Sequence, residues 1–352
     1  MSADRPLRLL FLTDDREDYL ADGVLHGLRS LAGVAVVDVP RKECLYVGGR
    51  RCREAPELGV RGGGFTLYGL LQEPAGGIDR SQIWRRLEAG WFDAVVVGNV
   101  WRQWGQLLQW QALLAGIPLL LLDGDDDERL YPSSGTRYRQ FGVMSGLRRL
   151  LAAPTCHYFK RELTGRSRPW GRRLQLHPLA FAVPEEVIVA AVPTKTQRFP
   201  AHVVDAELQA LIGGSTGYAF ADEAAYRADL GAARFGITGR RAGWDCLRHY
   251  EIAASGTVLC VRDLDRKPPR CAPHGLVDGD NCLGYTSATG LLQRLEALDP
   301  AEERRLQQAA LDWVRGQTTR RRAAGLLAAA GLTTADLSTA DLDQPLSWRR
   351  ST

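Results

Sequence analysis

The chemistry this chain can carry concentrates in residues 235–256. There a short apolar run gives way to a loop bounded by glycines, then a helical pattern, a stop at Gly256 and a second apolar run over 257–261. Arg240 and Arg241 stand between Gly239 and Gly243, and the loop delivers the chain into a helix that Asp245 is placed to cap. A helix N-terminus offers unpaired N–H groups and the positive end of the helix dipole, glycine lets the backbone approach closely, and arginine adds formal charge. Together these features describe a diphosphate cradle. Helical spacing aligns Trp244, Arg248, Glu251 and Ser255 on one stripe; Leu247, Tyr250 and Ala254 form another, apolar and expected to face a sheet. Glu251 suits the two hydroxyls of a ribose, because its two oxygens match two neighbouring donors. The competing reading is an Arg248–Glu251 ion pair on a solvated face, worth about 0.3 kcal/mol.

A catalytic base is expected at the ends of strands in the first half, because ligands of open α/β sheets gather at the carboxyl ends. Asp14 and Asp15 follow the first apolar run, and Asp123, Asp125, Asp126 and Asp127 follow the run at 118–122. Asp15 and Asp125 are the candidates for the base, against solvated-loop or cap roles for the acidic run. His26, on the first helical pattern, reads as structural. The segment from His157 to Glu162 could bring Lys160 or Arg161 to a cleft, with packing as the plainer role, and His177 could border a donor site.

These residues need a frame. Short apolar runs alternating with amphipathic stretches mark parallel sheets built from βαβ units. In the first half the expected strands are 9–13, 34–39, 94–98 and 118–122, with helices at 81–88 and 104–114; none of the strands alternates with polar residues, as suits strands covered on both faces. Residues 46–77, with Gly62, Gly63 and Gly64 in a row, read as a long irregular insertion. Residues 137–173 carry ten Lys or Arg, among them Arg137, Arg148 and Arg173, against the single acid Glu162, which suits a solvated face and linker, an anionic acceptor or an anionic membrane surface. The Gly, Pro and Arg content of 165–183 suggests a crossover, dividing the chain into a first domain at 1–175 and a second at 176–330, with a Thr-, Asp- and Ser-rich tail at 331–352. The second half reads as strands at 187–192, 234–238 and 257–261, a helix at 202–211, a loop at 262–281 and a helical end from 287 to 330.

Composition sets outer limits. A chain of 352 residues suffices for two domains with cores of their own. A net charge of +4 is too mild to argue for nucleic acid, although it permits an anionic ligand. Seven cysteines with no CxxC pair suit buried thiols in a reducing compartment; a zinc site from Cys260, Cys271, His274 and Cys282 would need tighter spacing. The first apolar run has only four residues and no run reaches eighteen, so neither a signal peptide nor a membrane span is expected, and the expected location is cytoplasmic.

From about Tyr226 to Ala330 the chain resembles the C-terminal half of GT-B glycosyltransferases, particularly the group-1-like and exostosin-like members. Arg248, Tyr250, Glu251, Ala254 and Gly256 match their Arg-x-Tyr-Glu-x-x-Ala-x-Gly helix, and Asp278, Gly279 and Asn281 match their Asp-Gly-x-Asn turn before the last strand. The resemblance implies two Rossmann-like α/β domains with parallel sheets facing a cleft, and transfer of a sugar from a nucleotide-diphosphate sugar to a glycan, lipid-linked or other hydroxyl acceptor. It places Thr238, Arg240, Arg241, Gly243, Asp245, Arg248, Glu251 and Asn281 on the donor side. It also implies that no metal or other cofactor is needed, and it leaves contact with an anionic membrane surface open. Many retaining members carry a second Glu where this chain has Gly243, so the stereochemistry is not fixed. A nucleotide-binding or scaffold protein on the same frame is the alternative; a Rossmann oxidoreductase is disfavoured because no GxGxxG follows the first run.

Overall fold

In a computed structural model, residues 5–49, 67–131, 150–167, 174–217, 220 and 222–332 are described. The glycine triplet at 62–64, Arg137, Arg148, Arg173 and residues 333–352 of the tail lie outside them.

The first domain is a six-stranded sheet in the order β2-β1-β3-β4-β5-β6, formed by β1 (Leu7–Leu12), β2 (Val34–Val39), β3 (Ala94–Val97), β4 (Leu119–Asp123), β5 (Cys156–Lys160) and β6 (Gln175–Pro178). Among the described residues its helices include α1 (Tyr19–Ser30), α2 (Ile83–Glu88), α3 (Val100–Gln109) and α4 (Gln111–Leu114). Alternate residues of each strand enter different cores. Leu9, Phe11, Val96, Leu120, Leu122 and Phe159 meet α1 on one face. Leu10, Leu12, Val95, Val97, Leu119 and Leu121 meet α2 and α3 on the other. This double burial explains strands without polar alternation.

The second domain has β7 (Phe235–Gly239), β8 (Val258–Arg262) and β9 (Leu283–Tyr285) in that order. Around them lie α5 (Ala206–Ile212), α6 (Glu223–Ala232), α7 (Leu247–Ala254), α8 (Ala288–Glu296), α9 (Pro300–Arg315) and α10 (Thr319–Ala329). Every strand pairing in the two sheets is parallel among the described residues. The expected pair of Rossmann-like domains is present.

Several local expectations need correction. No strand forms at 187–192: a 3-10 turn spans Glu185–Val187, and Val189 N–H then donates to the Ala254 carbonyl (2.9 Å), tying the segment to α7 instead of a sheet. The helix expected at 202–211 starts later, because Asp205 caps it through the N–H groups of Glu207 and Leu208. The helix at 104–114 is two helices, the first beginning at Val100 under an Asn99 cap. β5 was hidden by its polar residues. Lys160 is opposite Asp123 in the register and pairs with it at 2.9 Å, so that both charges are buried and paired within the sheet. β6 carries the first sheet to Pro178, three residues past the 175/176 division.

The C-terminal helices return to the first domain. α10 lies so close on α1 that a Cβ at Gly27 would stand 2.0 Å from the Thr319 carbonyl oxygen. The linking segment is pinned on both sides, with Val183 N–H donating to the Gln317 carbonyl (3.2 Å) and Thr319 N–H donating to the Val183 carbonyl (2.9 Å). His26 serves this contact: it is buried and hydrogen-bonded through Nδ1 to the Thr319 hydroxyl (2.9 Å). No helix among the described residues is long and apolar enough to cross a membrane.

Candidate functional site

Between the domains lies a cleft of about 820 Å³. Its second-domain wall is the loop after β7 and the start of α7. The loop is braced from behind by His249. Because His249 Nε2 must donate to the Trp244 carbonyl (2.9 Å), Nδ1 is left to accept from the Thr238 hydroxyl (2.9 Å). Burial pushes the imidazole down to about 4, which keeps this neutral form across physiological pH. Thr238 is therefore a buried brace that does not line the cleft.

Arg241 lines the cleft, and its N–H closes a tight turn on the Gly243 carbonyl (3.0 Å). Arg240 leaves the loop on another course, its guanidinium 5.2 Å from the centroid of the Trp244 ring, and it is not part of the cleft wall. Gly243 packs tightly against two carboxylates. A Cβ there would fall 2.5 Å from both an Asp126 and a Glu162 carboxylate oxygen, closer than nonbonded atoms approach.

Asp245 does not cap α7, contrary to the sequence reading. The cap position is Cys246, which makes no side-chain cap bond. Asp245 turns into the domain interface, where its carboxylate accepts from Phe181 N–H (2.8 Å) and the Tyr250 hydroxyl (2.8 Å). Burial pushes it up to about 6, with Arg161 opposing. The absence of a side-chain cap leaves the α7 N-terminus, with Leu247 and Arg248, turned to the cleft. Arg248 Nε has no hydrogen-bond partner among the described residues.

Glu251 lines the cleft but is not on a solvated helix face. It is 4% exposed and accepts a hydrogen bond from the Tyr226 hydroxyl at 2.7 Å. The stripe of Leu247, Tyr250 and Ala254 also faces elsewhere than expected: it joins Ala310, Leu311 and Val314 of α9 in the core shared by the domains. Ile252 meets the sheet instead, packed on Gly236. Asn281 lies away from the cleft and folds its own turn, accepting from Val277 N–H (2.9 Å) and donating to the Gly275 carbonyl (2.8 Å).

The first-domain wall comes from the ends of β1, β3, β4 and β5, in residues such as Asp18, Tyr19, Trp101, Asp125 and Arg161. Asp123 is consumed beneath it by Lys160 (2.9 Å), Trp101 Nε1 (3.0 Å) and the Tyr158 hydroxyl (2.5 Å). Asp125 is exposed on the cleft wall, its Oδ1 accepting from Asp127 N–H (2.8 Å). Asp15 is exposed and is not among the residues lining the cleft. His177 sits in β6 beside His157 (3.2 Å) and likewise takes no part in it.

Sequence reasoning underrated Arg161. This residue is 2% exposed, with Nη1 donating to Glu162 (2.8 Å) and to the Asp245 carbonyl (2.7 Å), Nε donating to the Gly124 carbonyl (3.1 Å), and Nη2 paired with Asp126. Glu162 continues the connection by accepting from Asp245 N–H (3.0 Å) and from the Cys271 thiol (2.9 Å). One buried network therefore crosses the domain boundary under the cleft. The signal for it was the lone acid within the basic run. Cys260, Cys271, His274 and Cys282 form no metal-binding group among the described residues.

No family model matches the sequence, and no curated protein matches it. Solved structures do resemble it. Anabaena HepE, in complex with UDP-glucose, superposes with a TM-score of 0.50 at 10% identity, covering 93% of this chain and 100% of its own. A glycosyltransferase from Rickettsia africae superposes with a TM-score of 0.51 at 9% identity, covering 91% of this chain and 96% of its own. At such identities the likeness is one of fold, and that fold is GT-B.

Proposed function

We propose that the chain is a glycosyltransferase that moves a sugar from a nucleotide-diphosphate sugar to an acceptor hydroxyl. The observation that carries this reading is the second-domain wall of the cleft, where Arg241, the uncapped start of α7 and the buried Glu251 follow one another along one surface. Arg241, Arg248 and the α7 N–H groups receive the diphosphate, and Glu251, oriented by Tyr226, receives the ribose hydroxyls. The complex of HepE with UDP-glucose supports a nucleotide sugar as the kind of ligand this frame accepts.

In the reaction the acceptor oxygen bonds to the anomeric carbon while the bond from that carbon to the phosphate oxygen breaks. The nucleoside diphosphate leaves with the electron pair, and the hydroxyl proton passes to a base. Asp125 takes that role in this reading, since its carboxylate is exposed on the wall opposite the donor groups. Charge developing on the leaving phosphate is met by Arg241 and the helix dipole, which supply the stabilisation a metal would otherwise give. Thr238 braces the loop from beneath, and Gly243 and Asp245, which line the cleft, shape the loop and its anchorage. The first-domain wall holds the acceptor, a glycan, a lipid-linked saccharide or another hydroxyl compound.

Thermal-shift screening against UDP, GDP, TDP and CMP sugars tests the reading, because a ligand that binds only the folded chain raises its melting temperature. A rise with one nucleotide class, lost in Glu251→Gln, is expected. The Asp125→Asn variant should keep that rise and lose turnover. No response to any nucleotide would favour the scaffold reading.

A further inference from the structure

A second cavity, of about 910 Å³, shares no lining residue with the cleft. It opens where the chain between β8 and β9 meets α9 and α10, and α7 separates it from the cleft: Tyr250 of α7 stacks at 5.3 Å on Trp313, which forms part of the cavity wall. One part of the lining is apolar, with Leu264, Leu276 and the indole of Trp313.

The rest is cationic. Lys267, Arg270, Arg321 and Arg322 line the cavity against two acids, Asp280 and Asp312. Both acids are attended from outside it, Asp312 by Arg315 (2.8 Å) and Asp280 by Arg305 (3.9 Å). Lys267, Arg321 and Arg322 thus enter no ion pair among the described residues. Two buried nitrogens, Arg322 Nε and His274 Nε2, have no hydrogen-bond partner among the described residues, although Arg322 is held in place by donating through Nη2 to Gln317 (2.7 Å). Burial, with the cations of Arg322 and Lys267, pushes His274 down to about 3, so its ring is a neutral hydrogen-bonding group. Buried polar atoms without partners call for one, and cations outside any ion pair beside an apolar wall define its type.

We propose that this cavity binds an organic phosphomonoester, its dianion held by Arg322, Arg321 and Lys267 and its apolar part lying against Leu264, Leu276 and Trp313. The phosphate supplies two negative charges and three acceptor oxygens, which a carboxylate does not. The cavity lies apart from the transfer chemistry, so binding there is independent of whether the cleft accepts a nucleotide sugar.

Isothermal titration of the full chain with octyl phosphate and with inorganic phosphate, both with excess UDP present, tests the proposal. One octyl phosphate should bind per chain, at least tenfold more tightly than inorganic phosphate. Its affinity should fall tenfold or more in Arg322→Gln, and also in Arg321→Gln, a partly exposed position whose substitution leaves folding intact. Equal affinity for the two probes would overturn the assignment of an organic phosphate. Failure of octyl phosphate to bind, or affinity unchanged in Arg321→Gln, would overturn the site.

Discussion

The two walls of the cleft are built differently. On the first-domain side the buried charges are matched within the protein: Lys160 with Asp123, and Arg161 with Asp126 and Glu162. On the second-domain side Arg241 enters no ion pair among the described residues, and Arg248 keeps a nitrogen without a partner. Matched buried charges hold a shape, because removing one partner strands the other away from water. Unmatched charges at a cavity edge keep their hydrogen-bonding and charge free for a ligand in the proposed reading. In the proposed reading, the first wall owes its shape to buried ion pairs and the second keeps its cations for the donor.

The strongest way to break that contrast is at Arg161. Arg161→Met leaves Glu162 and Asp126 without their cation and should cost about 3–5 kcal/mol of folding stability, measured by urea denaturation. A loss under about 1 kcal/mol would mean that the network behaves like a surface pair. Arg241→Ala should do the reverse, lowering turnover on the order of a hundredfold at saturating donor while leaving the urea midpoint in place. If stability fell together with turnover, the two walls would not differ in kind. Gly243→Ala sharpens the boundary between them, since its methyl group meets carboxylates of the first wall. About 1–3 kcal/mol of destabilisation is expected, together with weaker donor binding in titration. Arg240→Ala should be the mildest, with stability within about 0.5 kcal/mol of the parent and turnover nearly unchanged. An effect as large as that of Arg241→Ala would show that both arginines serve the donor.

The sequence was most readable where each residue could be explained by its neighbours in the chain. β2 stands at 34–39 as expected, and the order of β7, its loop, α7 and β8 follows from glycine positions and apolar runs. Reading failed where the explanation lies far along the chain. β5 looks too polar to be buried until Asp123 is placed opposite Lys160. Asp245 resembles a helix cap until Phe181 and Tyr250 claim its oxygens. For Glu251 the alternative of a solvated-face ion pair fails, because the residue is buried and holds the Tyr226 hydroxyl. Asn281 occupies the expected turn, yet that turn lines a different cavity from the cleft. In the cleft, local pattern located the loop and helix, while the orientation of their side chains depended on partners from the other domain.

The return of α10 to α1 also governs the order in which the molecule can be completed. The first domain ends its sheet at Pro178, yet the surface of α1 around Gly23 and Gly27 is covered by Thr319 and Ala323. During synthesis that patch stays bare while some 140 further residues are made, on the order of ten seconds or more at about 5–20 residues per second. Throughout that interval Leu20, Val24 and Leu28 lack the apolar neighbours that Leu326 and Leu327 will provide. α10 thus acts as a clasp that closes over the first half only after the second half has been made.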